Sequence, residues 1–437
     1  MNRKLGSSEY IAWLSDRVGS LNFVTVAHIS GDVNEQILRD GLDLLPQYHP
    51  LLKTQIDIQE GKPVFVSDHV PDIPLRVEIR HSDEHWHNET EKEMNAQFSS
   101  STGPLVRVVL LKGTPRSDLL VTFHHAIGDA ASGLYFVLHL LKIVEQLSRN
   151  QNPVIEPFPE HPPVEDLLPE SAQHLRGLAK TGALIGKQVM SIVVQHPQKL
   201  PKDGDLFAKD RTAHFIHHLF SEEETELLIK KCHSESTTVH GAISAAVLRA
   251  VAHQLFNAHD SESATVGCMS AVDLRSFLNP SIGEEIGFYV SMVITAHRIP
   301  SDISFWDLAR NVRKAVHHSI ESGDHFVFIS LLDKLLKTTS PEDFMKRALT
   351  LYPAALLMTN VGRLDMPEQY GPLNLEGLHF TLANIAASEH FNTAIATFRN
   401  RLVINFSYTE PTMSPDRAHS LTDDVIGILA KILSDHE

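Results

Sequence analysis

Six prolines lie between Asn152 and Pro169, and this stretch constrains the fold more than any other feature of the chain. Proline lacks a backbone N–H and fixes φ, so neither a helix nor a central strand runs through such a segment. Mixed helix-like and strand-like patterns occur on both sides of it. We therefore predict two α+β lobes, residues 1–165 and residues 166–437, with a connector helix over about 170–195 at the start of the second.

The hydrophobic patterns predict the elements of each lobe. In the first lobe, strands are predicted at 23–29, 105–111 and 119–125, followed by a helix with apolar positions between Leu134 and Val144. In the second lobe, Ser221 and Glu224 have the spacing of a capping box, and a helix is predicted from Val239. Further strands are predicted at 264–271, 288–296, 354–359, 378–386, 393–399 and 402–408, and a final helix from about residue 415.

The composition argues against several classes of function. The chain has 437 residues with 38 Lys and Arg against 54 Asp and Glu, which gives a net charge of −16. Binding to nucleic acid or to anionic lipid needs a basic surface, so both are disfavoured. The two cysteines are too few for a disulfide framework or a cysteine-based zinc cluster. The N-terminus lacks the apolar stretch of a signal peptide and no apolar run is long enough for a membrane span, so we expect a cytosolic location.

The segment 122–132 carries the most chemical information. Side chains alternate between the two faces of a strand, so His125 continues the apolar row that includes Phe123, whereas His124 points to the opposite face. At the end of a buried face an imidazole stays neutral and can accept a proton near pH 7. Asp129 lies directly before a predicted helix, where a carboxylate caps the helix or holds an arginine and so fixes the backbone that presents His125.

Structural explanations compete with these functional ones. The chain has 27 histidines, and a histidine at a strand end or an aspartate before a helix is more often structural than catalytic. The histidine pairs at 217–218 and 317–318 lack the combination of strand, tight turn and aspartate, and we predict that both are structural. His81 and His85 have the spacing of metal ligands on a helix, but the acidic residues around them favour a solvent-exposed helix face, and we predict no metal site.

The sequence His124-His125-x-x-x-Asp129-Ala130 resembles the HHxxxDG motif of the CoA- and carrier-dependent acyltransferase superfamily. That group includes chloramphenicol acetyltransferase, peptide-synthetase condensation domains, alcohol acetyltransferases and polyketide-associated acyltransferases such as phthiocerol dimycocerosyl transferase. The sequence most resembles the alcohol acetyltransferases and the polyketide-associated acyltransferases. Further stretches resemble segments of the group in the same order along the chain, namely 5–9, 103–107, 272–275, 287–288 and 359–363.

The resemblance implies two chloramphenicol-acetyltransferase-like lobes, each a mixed and mostly antiparallel sheet with helices, and a tunnel between them where acyl donor and acceptor meet. His125 is then the general base that removes a proton from the acceptor, and His124 supports the site structurally. Asp129 is implied to be structural and paired with an arginine, for which Arg275 is the best candidate. The structural alternative for Arg275 is a surface arginine in a polar loop.

An oxyanion site is also implied, and Thr359 and Asn360 are its candidates by analogy, although the same residues also fit an ordinary strand-to-turn exit. Ala130 replaces the final glycine of the motif. Alanine suits the first turn of a helix, so the fold is expected to survive, while the extra methyl group is expected to slow or retune catalysis if the glycine is needed for passage of the pantetheine arm.

These features lead to a first hypothesis of an O-acyltransferase that moves an acyl group from a CoA or carrier-protein thioester to a hydroxyl group, as in lipid or polyketide metabolism. The alternatives are an amide-forming condensation enzyme of the peptide-synthetase type, and a catalytically silent lobe pair that binds a carrier protein or lipid. No permanently bound cofactor is implied, because acyl-CoA or an acyl-phosphopantetheine carrier is a cosubstrate. We expect a monomer, with an acyl carrier protein as partner if the donor is carrier-bound.

Overall fold

The chain forms fifteen described strands and ten described helices. The structure, a computed structural model, describes residues 2–173, 195–259, 261–341, 343–344, 354–386 and 391–434. The strands are β1 (Asn2–Lys4), β2 (Asn22–Ser30), β3 (Gln55–Gln59), β4 (Lys62–Val66), β5 (Leu75–Ile79), β6 (Val106–Lys112), β7 (Arg116–His124), β8 (Thr212–Leu219), β9 (Ser263–Asp273), β10 (Val290–Pro300), β11 (Leu356–Arg363), β12 (Gln369–Tyr370), β13 (Leu373–Leu382), β14 (Phe391–Phe398) and β15 (Arg401–Glu410). The helices are α1 (Ser7–Val18), α2 (Glu35–Tyr48), α3 (His85–Asn95), α4 (Ala130–Ser148), α5 (Glu170–Gln173), α6 (Glu222–Ser234), α7 (Val239–His259), α8 (Phe305–Glu321), α9 (Asp324–Thr338) and α10 (Pro415–Ser434).

The first large sheet has the strand order β12-β13-β2-β7-β6-β5 and is antiparallel except between β5 and β6. Alternation along β7 sends Phe123 into the apolar cluster under α4, while the side chain of Thr122 bonds to Glu93 of α3 on the other face. Helix α4 packs closely on the sheet because Gly133 faces β2 without a side chain. These two layers hold the end of β7 and the start of α4 in fixed positions.

The second large sheet has the order β10-β9-β11-β14-β15-β8, with β11 parallel to both of its neighbours. Helices α7, α8 and α10 pack together beside it, and their apolar faces form a second core. The capping box predicted at Ser221 is present at the start of α6, where Glu224 N–H donates to Ser221 Oγ. The prediction of a two-lobe α+β fold with mixed sheets is confirmed.

One strand pair crosses between the two halves of the chain. Strand β13 pairs with β2 in an antiparallel ladder that sets Leu382 opposite Phe23, so residues 373–382 complete the first sheet. The pattern had predicted this strand at 378–386, several residues too late. The proposed division at residue 165 stays a prediction, and the crossing shows that segments of the second part contribute to the first sheet. Of the predicted connector helix at 170–195, the structure describes only α5, and residues 174–194 lie outside the described residues.

The two lobes also share apolar packing. The largest apolar cluster includes Phe123 and Val137 from the first lobe and Ile286, Leu357 and Ala394 from the second part of the chain. Helix α4, at the centre of this packing, is the one described helix that has the length and hydropathy of a membrane span, and it is mostly buried inside the protein. The loop that contains Ile286 is therefore held between the lobes.

Candidate active site

Strand β7 ends at His124, one residue earlier than the pattern predicts. His125 opens a short 3₁₀ turn that runs to Ile127 and leads into α4. The alternation argument for the direction of His125 is therefore wrong, because alternation holds only inside a strand. The two imidazoles nevertheless diverge, because the ring of His124 stays on the far face of the sheet, fully buried against Phe98.

The His124 ring has a structural environment. Its Nδ1 accepts a hydrogen bond of 3.0 Å from Ala126 N–H and so stabilises the 3₁₀ turn. Its Nε2 lies 3.5 Å from Asp16 Oδ2 in α1. Burial lowers the pKa of His124 to about 3 and raises the pKa of Asp16 to about 6. His124 is thus a neutral, buried side chain that stabilises the turn and lies beside Asp16 of α1.

The His125 ring is held in one tautomer. Its Nδ1 lies 2.7 Å from the Gly128 carbonyl oxygen, so Nδ1 carries the proton and Nε2 has the free lone pair. Phe23 and Phe288 pack against the ring, with centroid distances of 5.3 and 5.2 Å, and the side chain remains partly exposed. Burial lowers the pKa of His125, although the bond to Gly128 opposes this shift. Within the described residues, Nε2 has no hydrogen-bond partner, which leaves it free to accept a proton from a ligand.

Asp129 and Arg275 form a buried ion pair between the lobes. The two guanidinium nitrogens donate to the two carboxylate oxygens at 2.9 Å each, and both side chains are about 95% buried. Arg275 is therefore not a surface arginine. Burial alone would raise the pKa of Asp129, but the charge and hydrogen bonds of Arg275 outweigh it and hold that pKa below its usual range. The pair is bidentate and fixes the relative position of α4 and the turn after β9.

The carboxylate of Asp129 also organises the backbone around it. It accepts from the Ser132 N–H at 2.9 Å, which caps α4, and from the Tyr289 N–H at 3.0 Å. Ser132 Oγ lies within hydrogen-bond distance of both backbone groups of Gly287. A side chain at Gly287 would collide with the Tyr289 ring, so a glycine is required there. The result is a fixed loop that presses Phe288 against His125.

Ser132 was missed as a site residue by the sequence analysis. A serine three residues after an N-cap aspartate is an ordinary capping pattern, and nothing in it specifies a bond to the other lobe. Its partner Gly287 was noted only as part of a resembling segment. The spacing of Asp129 and Ser132 was thus the available signal, but the contact itself depends on how the lobes pack.

A cavity of about 350 Å³ lies between α4 and the second sheet. Of the predicted site residues, it brings together Asp129, Arg275, Thr359 and Asn360, and the methyl group of Ala130 also lines it. His125 is not among its lining residues. The remaining wall is mainly apolar, with acidic and basic groups at the rim: Leu134, Leu138, Val290, Val361, Leu364 and Met366, together with Asp273, Glu284, Arg363 and Asp365. The cavity can hold a ligand that has both apolar and polar groups.

Asn360 lies at a β-bulge in the middle of β11. Its Oδ1 accepts from the Gly362 N–H at 2.8 Å, and Gly362 has a φ of +75° that favours glycine. The predicted strand-to-turn exit is therefore a bulge, after which pairing with β14 resumes at Arg363. Because Oδ1 is engaged, the Nδ2 amino group of Asn360 is the group left to donate to a ligand.

The other histidines of the sequence analysis lie away from this site. His217 lies in β8 and bonds to Asn405, and residues 317–318 lie in α8. The exposed-face prediction holds for His81, Asp83 and Glu84, but it is wrong for His85, Glu89 and Glu93, which are buried. Ligand atoms of Glu78, His85 and Glu89 lie within 4.8 Å of one another, but Arg76 donates to both of these carboxylates. The absence of a metal site stays a prediction.

The fold and the motif together resemble one class of protein. Two mixed sheets with flanking helices, a histidine at the start of a turn between strand and helix, and an Asp–Arg pair across the lobes are the arrangement that the HHxxxDG acyltransferase superfamily implies. Residues 209–407 match the family model described as phthiocerol/phthiodiolone dimycocerosyl transferase C-terminus. The resemblance predicted from the sequence is confirmed by this match together with the structural comparisons.

Solved structures of the same fold cover nearly the whole chain. Polyketide synthase associated protein 5 from Mycobacterium tuberculosis superposes with a TM-score of 0.71 and 16% identity, over 99% of this chain and 98% of that one. Trichothecene 15-O-acetyltransferase from Fusarium sporotrichioides superposes with a TM-score of 0.75 and 12% identity, over 98% of this chain and 94% of that one. At these identities the likeness establishes the fold.

Sequence relatives are distant and of two kinds. A probable alcohol acetyltransferase from Aspergillus fumigatus is 23% identical over 81% of this chain and 78% of its own length. Bacitracin synthase 1 from Bacillus licheniformis is 20% identical over 97% of this chain, but the chain spans only 8% of that much longer protein. The relatives thus include both a probable acetyltransferase and a synthase.

Proposed function

We propose that this protein is an O-acyltransferase that transfers an acyl group from a thioester donor to a hydroxyl acceptor and forms an ester. The observation that carries the proposal is the state of His125, whose Nδ1 is tied to Gly128 and whose Nε2 has a free lone pair. A neutral imidazole in this state has the requirements of a general base for an alcohol. The similarity to an alcohol acetyltransferase and to a solved O-acetyltransferase supports the choice of acceptor.

The proposed reaction proceeds without an acyl-enzyme. Nε2 of His125 takes the proton of the acceptor hydroxyl while its oxygen attacks the thioester carbonyl carbon. The tetrahedral intermediate then collapses, the C–S bond breaks, and the leaving thiolate takes the proton back from Nε2. Atoms and charge balance, and the imidazole returns to its starting state. The bond to Gly128 keeps Nε2 as the reacting nitrogen throughout the cycle.

The developing oxyanion requires a hydrogen-bond donor. The amino group of Asn360 and the hydroxyl of Thr359 are the proposed donors by analogy with the family; both line the cavity beside Asp129, and the amide oxygen of Asn360 is already engaged by Gly362. Asp129 and Arg275 are proposed as positioning residues, which hold the turn and the loop around His125. The donor is proposed to be acyl-CoA or an acyl-phosphopantetheine carrier, with no permanently bound cofactor.

The experiment that tests this function is a thioester panel. Purified protein is incubated with acyl-CoA donors of increasing chain length and with acyl-pantetheine donors, in the presence of alcohols, amines or no acceptor. We expect thiol release that depends on the alcohol, with an ester as the product by mass spectrometry. Thiol release that is independent of any acceptor, or none on any donor, would contradict the proposal, and the second result favours the silent binding protein.

Amide formation is the second candidate, and a specific observation favours it. The match to bacitracin synthase 1 extends over 97% of the chain, so a peptide-synthetase type of acceptor is compatible with the same fold and the same base. The chemistry differs only in the nucleophile, because His125 would take a proton from an attacking amine and not from a hydroxyl group. Amine-dependent thiol release with an amide product in the same panel would select this candidate.

A further inference from the structure

Two buried histidines of the first lobe, His49 and His139, form hydrogen bonds with one loop of the second lobe. Ile286 N–H lies 3.3 Å from Nδ1 of His49, and His49 Nε2 lies 2.8 Å from Nδ1 of His139. Nε2 of His139 lies 2.8 Å from Oε2 of Glu284. The series thus begins and ends on the same short segment, residues 284–286, with a histidine from the end of α2 and a histidine from α4 between the two ends. We call these four residues the loop clamp.

The chemistry of the loop clamp permits one arrangement of protons. A backbone N–H can only donate, so His49 Nδ1 accepts and the proton of that ring lies on Nε2. That proton is donated to His139 Nδ1, so the proton of His139 lies on Nε2 and is donated to Glu284. All three contacts are satisfied while both rings are neutral. Burial, together with the neighbouring His139, lowers the pKa of His49 to about 3 and keeps it in this state.

The clamp is rigid because its rings are packed as well as bonded. Phe158 stacks on His49 at 4.9 Å between centroids, and the ring of His139 is near the rings of both Phe158 and Tyr135. His49 and His139 are 2% and 7% exposed. Stacked and buried rings in satisfied hydrogen bonds have little freedom to reorient. The loop segment that they hold is fixed from the first lobe.

The residues that follow the clamped segment contact His125 and the start of α4. Gly287 bonds to Ser132, Phe288 packs on His125 at 5.2 Å, and the Tyr289 N–H donates to Asp129. Glu284 itself lines the cavity, whereas neither clamp histidine does. A shift at residues 284–286 would therefore be transmitted to the ring of His125 within a few residues of chain.

We propose that His49 and His139 are positioning residues for the transfer reaction, which hold residues 284–288 so that Phe288 fixes the ring of His125 and Glu284 closes one wall of the cavity. This inference rests on the proposed function for its kinetic consequence. The clamp itself is a structural arrangement and has a readout that needs no activity. Loss of the clamp changes the position of the base, so it lowers kcat as well as raising KM for the acceptor.

The test compares variants of the clamp with variants of a second His–Glu pair that also joins the lobes. His139→Phe keeps an aromatic ring in the stack and removes both hydrogen bonds of His139. Glu284→Ala removes the oxygen that accepts from His139, whereas Glu284→Gln keeps an accepting oxygen at this position. The matched controls are His214→Phe and Glu91→Ala, since Nδ1 of His214 lies 3.1 Å from Oε2 of Glu91 and neither residue lines the cavity. Each protein is assayed for kcat and KM with one thioester donor, and for backbone amide exchange over residues 283–290.

We expect His139→Phe and Glu284→Ala to lower kcat about tenfold to a hundredfold, as for a base displaced by about 1 Å. Glu284→Gln recovers most of the loss, and the two controls stay within about twofold of the wild type. Exchange over residues 283–290 rises in His139→Phe and Glu284→Ala only. Equal kcat values in clamp and control variants would overturn the positioning role. Unchanged exchange in His139→Phe would overturn the clamp even if the wild type transfers no acyl group, so the two failures are distinguishable.

Discussion

At the scale of single residues, the adjacent histidines His124 and His125 differ in their environment and hydrogen bonds. His124 completes β7, is fully buried and accepts from the backbone of the next turn. His125 leaves the strand, and its Nδ1 is engaged by Gly128 while Nε2 stays available. One position along the chain thus separates a structural imidazole from one suited to proton transfer.

The pH dependence of the reaction follows from the lowered pKa of His125. A general base acts in its neutral form, so a pKa below the ordinary 6.5 moves the acid limb of the rate profile to lower pH. We expect kcat/KM to be constant on this limb from pH 7 upward and to fall only below pH 6.5. Steady-state assays with a fixed thioester between pH 5 and 8 measure the limb, and a midpoint above 6.5 would show that a different group or state controls the rate.

The Asp129–Arg275 pair is the residue-scale feature with the largest expected effect on stability. Asp129→Asn leaves the buried guanidinium with only the exposed Asp273 as a counter-charge, which costs about 3 kcal/mol in the free energy of unfolding. Asp273→Asn is the matched control, because Asp273 is more than half exposed and contacts the same arginine at 3.3 Å, and its loss costs less than about 1 kcal/mol. Urea denaturation at pH 7 compares the two, and similar losses would show that burial does not matter here.

At the scale of elements, α4 determines where the site lies. Its N-terminus is capped by Asp129, its first residue lines the cavity, and its middle packs on β2 and α2. The close approach to β2 depends on Gly133, where an added Cβ would lie 2.1 Å from Thr25 Oγ1. A displaced α4 would carry Asp129 and the turn of His125 with it.

Substitutions at two glycines in helices distinguish the effect of close packing on stability from the effect of helix propensity. Gly133→Ala forces α4 away from β2, and we expect a loss of about 1 to 3 kcal/mol in the free energy of unfolding. Gly427→Ala in α10 meets no atom within 4 Å, so the same substitution gains up to about 1 kcal/mol through helix propensity. Chemical denaturation of both variants gives the comparison. A Gly133→Ala protein as stable as the wild type would show that the α4 contact is not tight.

The sequence predicts elements well and contacts poorly. Hydrophobic periodicity located β2, β7, α4 and α7 to within a few residues, and the motif identified the pair Asp129 and Arg275. It could not assign β13 to the first sheet, because alternation gives the face of a side chain and not the partner strand. The direction of the His125 ring was argued from a strand that ends one residue earlier. His49, His139 and Glu284 had no motif to mark them, since their contacts arise only when the lobes pack together.

At the scale of the whole molecule, polar residues and neutral histidines join the two halves. The loop clamp, the Asp129–Arg275 pair and the β13 crossing all connect the first lobe to later parts of the chain. A hydrogen-bonded series from Asp118 through His28 and His379 reaches Asn405 in the second sheet. These contacts suit a molecule whose cavity lies between its lobes, because both walls must keep their relative positions.

The buried histidines predict a protein that loses stability in mild acid. Burial lowers the pKa of several described histidines, to about 3 for His49 and His124 and to about 4 for His217, His240, His297 and His325. In the unfolded chain these histidines bind protons from about pH 6.5 downward. Each buried histidine therefore lowers the free energy of unfolding by roughly 1 kcal/mol for every pH unit below 6.5, until the pH reaches the pKa of that histidine in the folded protein.

Asp16 and Glu165 act in the opposite sense, because burial raises the pKa of both carboxyls and the folded state takes up their protons first. They are fewer than the histidines, so we expect the net free energy of unfolding to fall steeply between pH 6.5 and 4. Urea denaturation at pH 7.5, 6.0 and 5.0 measures this trend. If the free energy of unfolding stays constant or increases as the pH falls over this interval, the histidines are not buried in the neutral form.

The proposed reaction depends on the Nε2 atom of His125, and the variant His125→Ala removes that atom. Acceptor-dependent thiol release and ester formation are measured for the wild type and for this variant with the same donor and alcohol, after circular dichroism has shown that both are folded. We expect the variant to lose at least about a hundredfold in kcat, the usual scale of general-base catalysis. A folded His125→Ala protein that forms ester at the wild-type rate would contradict the proposed reaction.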